Sequence, residues 1–432
     1  MAKITFLGAG STVFAKNVLG DVMTSPVIGD SEIALYDIDL QRLSDSEKML
    51  NVINTNCNGG RAKITAYSDR KQALRGAKYV VCAIQVGGYD PCTITDFEVP
   101  KKYGLRQTIA DTIGIGGIFR ALRTIPVFMD FARDIEEVCP DAYFLNYTNP
   151  MSMIAGAMQR FTGVKTVGLC HSVQVCAESL LNTVGMENRD ITYNIAGINH
   201  MAWLLDIKKN GVDIYPEIKE RAKNVPADNK NLVRMKIMEA FGYYITESSE
   251  HLSEYLPYFI KDKYPELIER YNIPLDEYPR RCIRQIQKWE NQRQDLVENK
   301  EITHIRSNEY ASHIIEAIET DIPYKIGGNV LNMGLIENLP RNACVEVPCL
   351  VDASGINPCY VGELPVQLAA LNTTNINVHL LTIEAAITGK KEHIYHAAML
   401  DPHTSSELSI DDIKAMCDEL IETHGNWLPK YN

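Results

Sequence analysis

Short, almost uninterrupted apolar runs alternate with amphipathic stretches through the first part of the chain. The runs are KITFLG (Lys3 to Gly8), EIALYD (Glu32 to Asp37), AKITAY, AKYVVCAIQVGG, YFLNYTNP (Tyr143 to Pro150) and VKTVGLC (Val164 to Cys170). Between them AKNVLGDVM and LQRLSDSEKMLNVI carry helical periodicity. Strands that are apolar on both sides are covered on both faces. The pattern therefore predicts an α/β domain: a Rossmann-like, doubly wound parallel sheet between two layers of helices. After about Gly197 polar helical stretches such as SEYLPYFIKDKYPELIERY and RRCIRQIQKWENQRQDLVENKE mix with short strand-like pieces such as VEVPCLV. This predicts a division into residues 1–196 and 197–432, the second part a mainly helical α+β domain with an irregular sheet. LAALNTTNINVHLLTIEAAITG (Leu368 to Gly389) is apolar enough to be a buried helix, or a pair of helices, against the first domain.

Composition narrows the class of partner. The 432 residues carry a formal net charge of -12 and no Lys/Arg-rich segment, which argues against nucleic acid and for a small neutral substrate. The opening MAKITFLGAGSTVF is too short in its apolar run and too rich in glycine for a signal peptide, and no apolar stretch reaches membrane-spanning length. The expected location is the cytoplasm, with no membrane association. Eleven cysteines without a C-x-x-C pair read as reduced thiols rather than a disulfide framework.

The first candidate chemistry lies at the carboxyl ends of the predicted strands. In FLGAGSTVF, Gly8 and Gly10 follow the first strand, and Ser11, Thr12, Val13 and Phe14 open the next helix. Glycines there allow a tight turn and let backbone N–H groups approach a pyrophosphate. Val13 stands where the third glycine of G-x-G-x-x-G is expected, which weakens the motif taken alone. Asp37, ending the second strand, is suited to a ribose diol and repels a 2′-phosphate, favouring NAD over NADP. AIQVGG adds Val86 and Gly87 where a cofactor crosses the sheet edge. Asn149-Pro150 falls at the nicotinamide end, or is an ordinary strand-to-helix turn with Asn as the cap.

A second constellation is GLCHSVQ with AGINHMAW. Cys170 ends the sixth apolar strand, and Asn199 and His200 lie on a later segment that can return to it. A thiolate and an imidazole suit a borderline transition metal, and two protein ligands leave positions for substrate oxygens. The bland alternative is a packed core cysteine and a satisfied histidine. His171 and Ser172 add polar groups that a packed strand end does not need.

Together FLGAGSTVF, QVGGY, GLRQTIADTIGIGGIFRALRTIP, NYTNPM, GLCHSVQ, GINHMAW, HLSEYLPYF, GNVLNMGLIENLP and AMLDPHTS resemble the NAD- and metal-dependent glycosidases of glycoside hydrolase family 4. The resemblance spans almost the whole chain. It implies a lactate/malate dehydrogenase-like fold, NAD and Mn²⁺ as cofactors, and a homodimer or homotetramer. CHSV (Cys170 to Val173) resembles the branch acting on α-galactosides of the melibiose or raffinose type.

The implied reaction is oxidation at C3 of the sugar by NAD⁺, loss of the C2 proton, expulsion of the C1 oxygen, addition of water and return of the hydride. The resemblance makes Cys170 and His200 the metal ligands, with Asn149 and Asn199 as sugar contacts. It makes Tyr255 the base, ahead of Tyr258. Family members with a carboxylic acid after the cysteine use it as the acid. Here that position is His171, ranked ahead of Asp111. The alternatives are an α-glucosidase or an α-glucuronidase/galacturonidase of the same family, or a simple NAD-dependent sugar or 2-hydroxy-acid dehydrogenase. An NAD-sensing protein would give no reason for Cys170, His200 and Tyr255 to coexist.

Overall fold

The computed structural model describes residues 2–307 and 309–432. The expected apolar runs become β1 (Lys3–Leu7), β2 (Glu32–Tyr36), β3 (Lys63–Tyr67), β4 (Tyr79–Cys82), β5 (Tyr143–Asn146) and β6 (Lys165–Leu169). They pair in parallel in the order β6-β5-β4-β1-β2-β3, the reversal at β1 giving the doubly wound topology. β1 and β4 are buried almost throughout, as strands covered on both faces must be. β4 stops at Cys82, so AIQVGG is a loop rather than the end of the strand. The helix Met151–Phe161 is capped by Pro150, not by Asn149, so the expected asparagine cap is not formed.

The second half departs from the expectation of a sheet of its own. Its strands are β7 (Ile191–Ile198), β8 (Met201–Lys209), β9 (Val212–Asp213), β10 (Tyr244–Ile245), β11 (Tyr324–Leu331), β12 (Cys344–Asp352) and β13 (Gly355–Pro358). β11 pairs antiparallel with β6, so the sheet runs on as β6-β11-β12-β7-β8-β10, thirteen strands in all among the described residues. One row of register partners crosses the junction: Gly168 on β6, Asn329 on β11, Glu346 on β12 and Gly197 on β7.

Leu368 to Gly389 forms one helix, Val366–Thr388, packed on the helices Gly114–Val138 and Met151–Phe161 of the first half. The expected helix through SEYLPYF is broken. It ends at Tyr255, and Leu256 is extended because Pro257 follows and disfavours the helical conformation before it. No helix among the described residues is long and apolar enough to cross a membrane.

A buried ionic group ties the C-terminus to the first half. Asp96 accepts from Arg123 and His424, with all three side chains nearly inaccessible. Burial opposes ionisation of Asp96, but Arg123 and His424 outweigh it and hold the carboxyl below its usual range. Arg123 also donates through Nε to the Val86 carbonyl, fixing the loop after β4. Asp96→Asn leaves Arg123 buried without a counter-charge, so stability should fall by about 3 kcal/mol in urea denaturation. Because the folded pKa is depressed, the wild-type advantage should be present above the unfolded Asp range and disappear as the pH falls through the folded value.

Candidate active site

The loop after β1 is shaped by contacts that exclude side chains. Gly8 has φ +92, and a Cβ there would lie 2.1 Å from the Ala83 carbonyl oxygen. A Cβ on Gly10 would overlap the Asp37 carboxylate, which accepts from Gly10 N–H at 2.7 Å and from Asp39 N–H at 2.8 Å. Asp37 thus holds the glycine loop, in addition to any ligand role. The helix Thr12–Thr24 begins at Ser11 with no side-chain cap, and the Ser11 hydroxyl is buried without a partner among the described residues. An uncapped helix start behind a glycine turn fits a pyrophosphate. Thr12 is buried and Val13 is half exposed, while Phe14 turns its ring onto Phe6 and Tyr147. Gly87, at φ +80, leaves no room for a side chain beside Cys92, and Val86 is fixed by Arg123.

At the end of β6 the chain leaves the sheet. Cys170 occupies the cap position of the helix His171–Thr183. His200 is the second residue of the two-residue turn between β7 and β8, at φ +63, a left-handed conformation that costs a side-chain-bearing residue about 1 kcal/mol. Four strands side by side in a flat sheet would separate β6 from β7 by roughly 14 Å. Yet ligand atoms of Cys170, His200 and Glu247 all lie within 4.8 Å of one another. The curl of the sheet and the reach of the side chains close the gap.

Glu247 escaped the sequence reading, because an acidic residue in ITESSE carries no local signal. Its Oε1 accepts from Ser248 N–H at 2.7 Å, leaving Oε2 at 3.4 Å from His200 Nε2. Thr246 beside it is anchored to Ala202 and Arg234. Burial and the neighbouring Glu346 and Glu247 push the Cys170 thiol well above its ordinary range. A buried imidazole with a partly buried thiol and carboxylate so close together supply nitrogen, sulfur and oxygen donors, a set suited to a divalent cation that would displace the thiol proton. The residues present therefore fit a metal ion.

Three further polar atoms face this region without a partner among the described residues: Asn199 Oδ1, His200 Nδ1 and the Tyr255 hydroxyl. Tyr255 is fully buried, its ring 6.3 Å from that of His200. Burial first, then Asp111, Glu247, Cys170 and Glu254, raises its phenol well above the usual range. Tyr258 is half exposed and stacks with Phe241, away from the cluster. His251, one turn before Tyr255 and unmarked in the sequence reading, packs against His200 at 4.5 Å between ring centroids and stands 3.9 Å from Asp111.

The two candidate acids differ in electrostatics. His171 shares a 2.7 Å hydrogen bond with Glu309, which raises its pKa against the effect of burial, and about half of its side chain is exposed. Asp111 is buried, which opposes its ionisation, but His251, Arg120 and His200 keep its carboxyl below the usual range. Its oxygens accept from Asn149 Nδ2 at 3.2 Å and from the Thr112 hydroxyl at 2.7 Å. Arg120, also unmarked in the sequence reading, donates to the Asn149 carbonyl and to Tyr278.

A doubly wound α/β sheet carrying a thiol–imidazole–carboxylate cluster beside an unpartnered tyrosine is the frame of a metal-assisted enzyme built on a dinucleotide-binding fold. The chain belongs to glycosyl hydrolase family 4: the family model matches residues 3–186 and the model of the family's C-terminal domain matches residues 195–404. It is 62% identical to an α-galactosidase of Bacillus subtilis over 432 residues, covering 100% of both chains. It is 36% identical over 443 residues to an α-galactosidase of Rhizobium meliloti, covering 99% of this chain and 89% of that one. Its fold matches a 6-phospho-α-glucosidase from gut microorganisms solved with NAD and Mn²⁺, with a TM-score of 0.82 at 18% identity over the full length of both.

The unpartnered hydroxyl leads to a stability prediction. Tyr255→Phe removes a buried polar group that makes no hydrogen bond within the chain, so the metal- and cofactor-free protein should gain about 1 kcal/mol in thermal or urea unfolding. Destabilisation of that size would mean the hydroxyl has a partner in the free protein.

Proposed function

We propose that this protein hydrolyses α-galactosides of the melibiose or raffinose type, with NAD and a divalent metal, Mn²⁺, as resident cofactors. The observation that carries the reading is the convergence of Cys170, His200 and Glu247 beside the unpartnered Tyr255 phenol. Full-length similarity to α-galactosidases supports the substrate class.

When bound, NAD⁺ supplies a hydride acceptor for C3 of the sugar and Mn²⁺ a Lewis acid for its neighbouring oxygens. The chain's own residues divide the remaining work. Cys170, His200 and Glu247 would hold the metal, and residues 8–14, Asp37 and the Val86–Gly87 loop would hold the dinucleotide. Tyr255 takes the C2 proton onto its phenol oxygen. His171, oriented by Glu309, gives a proton to the departing C1 oxygen. Asp111, held ionised, accepts from a sugar hydroxyl instead of acting as the acid. Asn149 and Asn199 orient hydroxyls, Asn199 through its unpartnered Oδ1. Residues 1–196 form the cofactor domain and also supply Cys170, His171, Asp111 and Asn149, while 197–432 supply His200, Glu247 and Tyr255 to the substrate and metal site. The protein works in the cytoplasm as a homodimer or homotetramer, its thiols kept reduced.

The test is release of p-nitrophenol from the α-galactoside, compared with the α-glucoside and the 6-phosphoglucoside, with NAD⁺, Mn²⁺ and thiol reductant omitted in turn. Hydrolysis of the galactoside that needs all three is expected. Turnover without NAD⁺, by protein free of bound cofactor, overturns the redox route, and NADH accumulating in proportion to substrate makes the protein a dehydrogenase. Glu247→Gln should weaken Mn²⁺ binding at least about tenfold in an electron paramagnetic resonance titration. Unchanged affinity would reduce Glu247 to a hydrogen-bond partner of His200.

A further inference from the structure

Glu254 is 3% exposed and immediately precedes Tyr255, and its carboxylate is bonded to a loop of the first half. Oε1 accepts from three consecutive backbone N–H groups, Thr108 at 2.5 Å, Ile109 at 3.0 Å and Ala110 at 3.2 Å, and Oε2 accepts from Ala110 at 3.0 Å. Three converging amides form a concave anion site, and here it is filled from within the chain. Ala110 sits at φ +50, a left-handed conformation unfavourable for a residue with a Cβ. The next residue is Asp111, whose oxygens reach Asn149 and approach His251.

The glycines of GIGG belong to the same device. A Cβ on Gly116 would lie 2.7 Å from the Ala110 Cβ, and one on Gly117 would lie 2.6 Å from the Thr112 carbonyl carbon. The helix Gly114–Val138 can therefore press against the loop only where it has no side chains. The loop is also held by Thr108 Oγ1 donating to the Glu250 carbonyl, so the helix Ser249–Tyr255 grips it twice. One short helix thus carries His251, the clamp and Tyr255.

We propose that Glu254 is a positioning residue. By binding the N–H groups of Thr108, Ile109 and Ala110 it keeps Ala110 left-handed and holds Asp111 in register with Tyr255 at the sugar. This rests on the α-galactosidase reading above. The charge is needed because a neutral acceptor bonds these three amides more weakly, and without the clamp Ala110 relaxes to negative φ and swings Asp111 away. Misplacement of a substrate-contacting group by about 1 Å costs on the order of 100-fold in rate.

The test uses the enzyme loaded with NAD⁺ and Mn²⁺ on p-nitrophenyl α-galactoside. Burial pushes the Glu254 carboxyl up to about 7, so assays are run at pH 8, where the carboxylate is the populated form. Glu254→Gln should lower kcat by about 100-fold with KM changed less than about threefold, since Asp111 is displaced at the reacting centre and not removed. Adding Ala110→Gly, which tolerates positive φ without the clamp, should recover about tenfold of the loss, whereas Ala110→Gly alone should leave the wild type near full activity. An E254Q enzyme within twofold of wild type, or a double variant no faster than E254Q, overturns the proposal. Amide hydrogen exchange on the wild type gives a readout independent of variant folding: the Thr108, Ile109 and Ala110 amides should exchange slowly, and rapid exchange of all three also overturns it. Absence of galactosidase activity in the wild type would instead refute the underlying assignment.

Discussion

The constraint on which the site depends is electrostatic. Cys170, His200 and Glu247 bring a thiol, an imidazole and a carboxylate together in the interior, with Glu346 and Asp111 nearby. Burial and the nearby carboxylates oppose ionisation of the thiol and of the neighbouring phenol, whereas for Glu247 burial is outweighed by His200 and His251, which hold its carboxyl below its usual range. The Cys170 thiol is pushed up for this reason, and so is the Tyr255 phenol. A divalent cation held by Cys170, His200 and Glu247 would give the thiolate a partner and lower the cost of ionising the phenol.

The fold meets the constraint by joining two halves through one sheet. Had the second half carried a separate sheet, the turn bearing His200 would be free to shift relative to Cys170. Instead Gly168, Asn329, Glu346 and Gly197 are register partners across four strands. Asn329 Nδ2 donates to Glu346 at 2.9 Å, and Asn199 Nδ2 lies 3.5 Å from the same oxygen. The backbone ladder thus sets the distance between the thiol and the imidazole, and a buried polar chain beneath it orients the turn. The first half is in turn tied to the C-terminal helix through Asp96, Arg123 and His424, so the loop after β4 shares that frame.

Two of the eight non-glycine residues with positive φ among those described lie in the candidate site. His200 and Ala110 are both left-handed without being glycine. His200 is needed for its ring, and Ala110 precedes Asp111 in a loop gripped by Glu254. Residues that a free peptide would avoid are kept where the surrounding hydrogen bonds over-determine them.

The amino-acid sequence by itself determined the six parallel strands, because apolar runs buried on both faces can belong only to a covered sheet. It also determined the positions of Gly8, Gly10 and Cys170, since strand ends and glycine turns are local. Its motifs were specific enough to identify the family. Tertiary structure alone decided what depends on approach between distant segments. The single sheet follows from β11 pairing with β6, a contact between residues far apart in the chain. Glu247, His251, Arg120 and Glu254 were illegible because their neighbours come from other segments, and no spacing along the chain encodes a carboxylate facing three amides 144 to 146 residues away. Even the difference in burial between Tyr255 and Tyr258 was set by one proline, which ends the helix after the first and leaves the second half exposed.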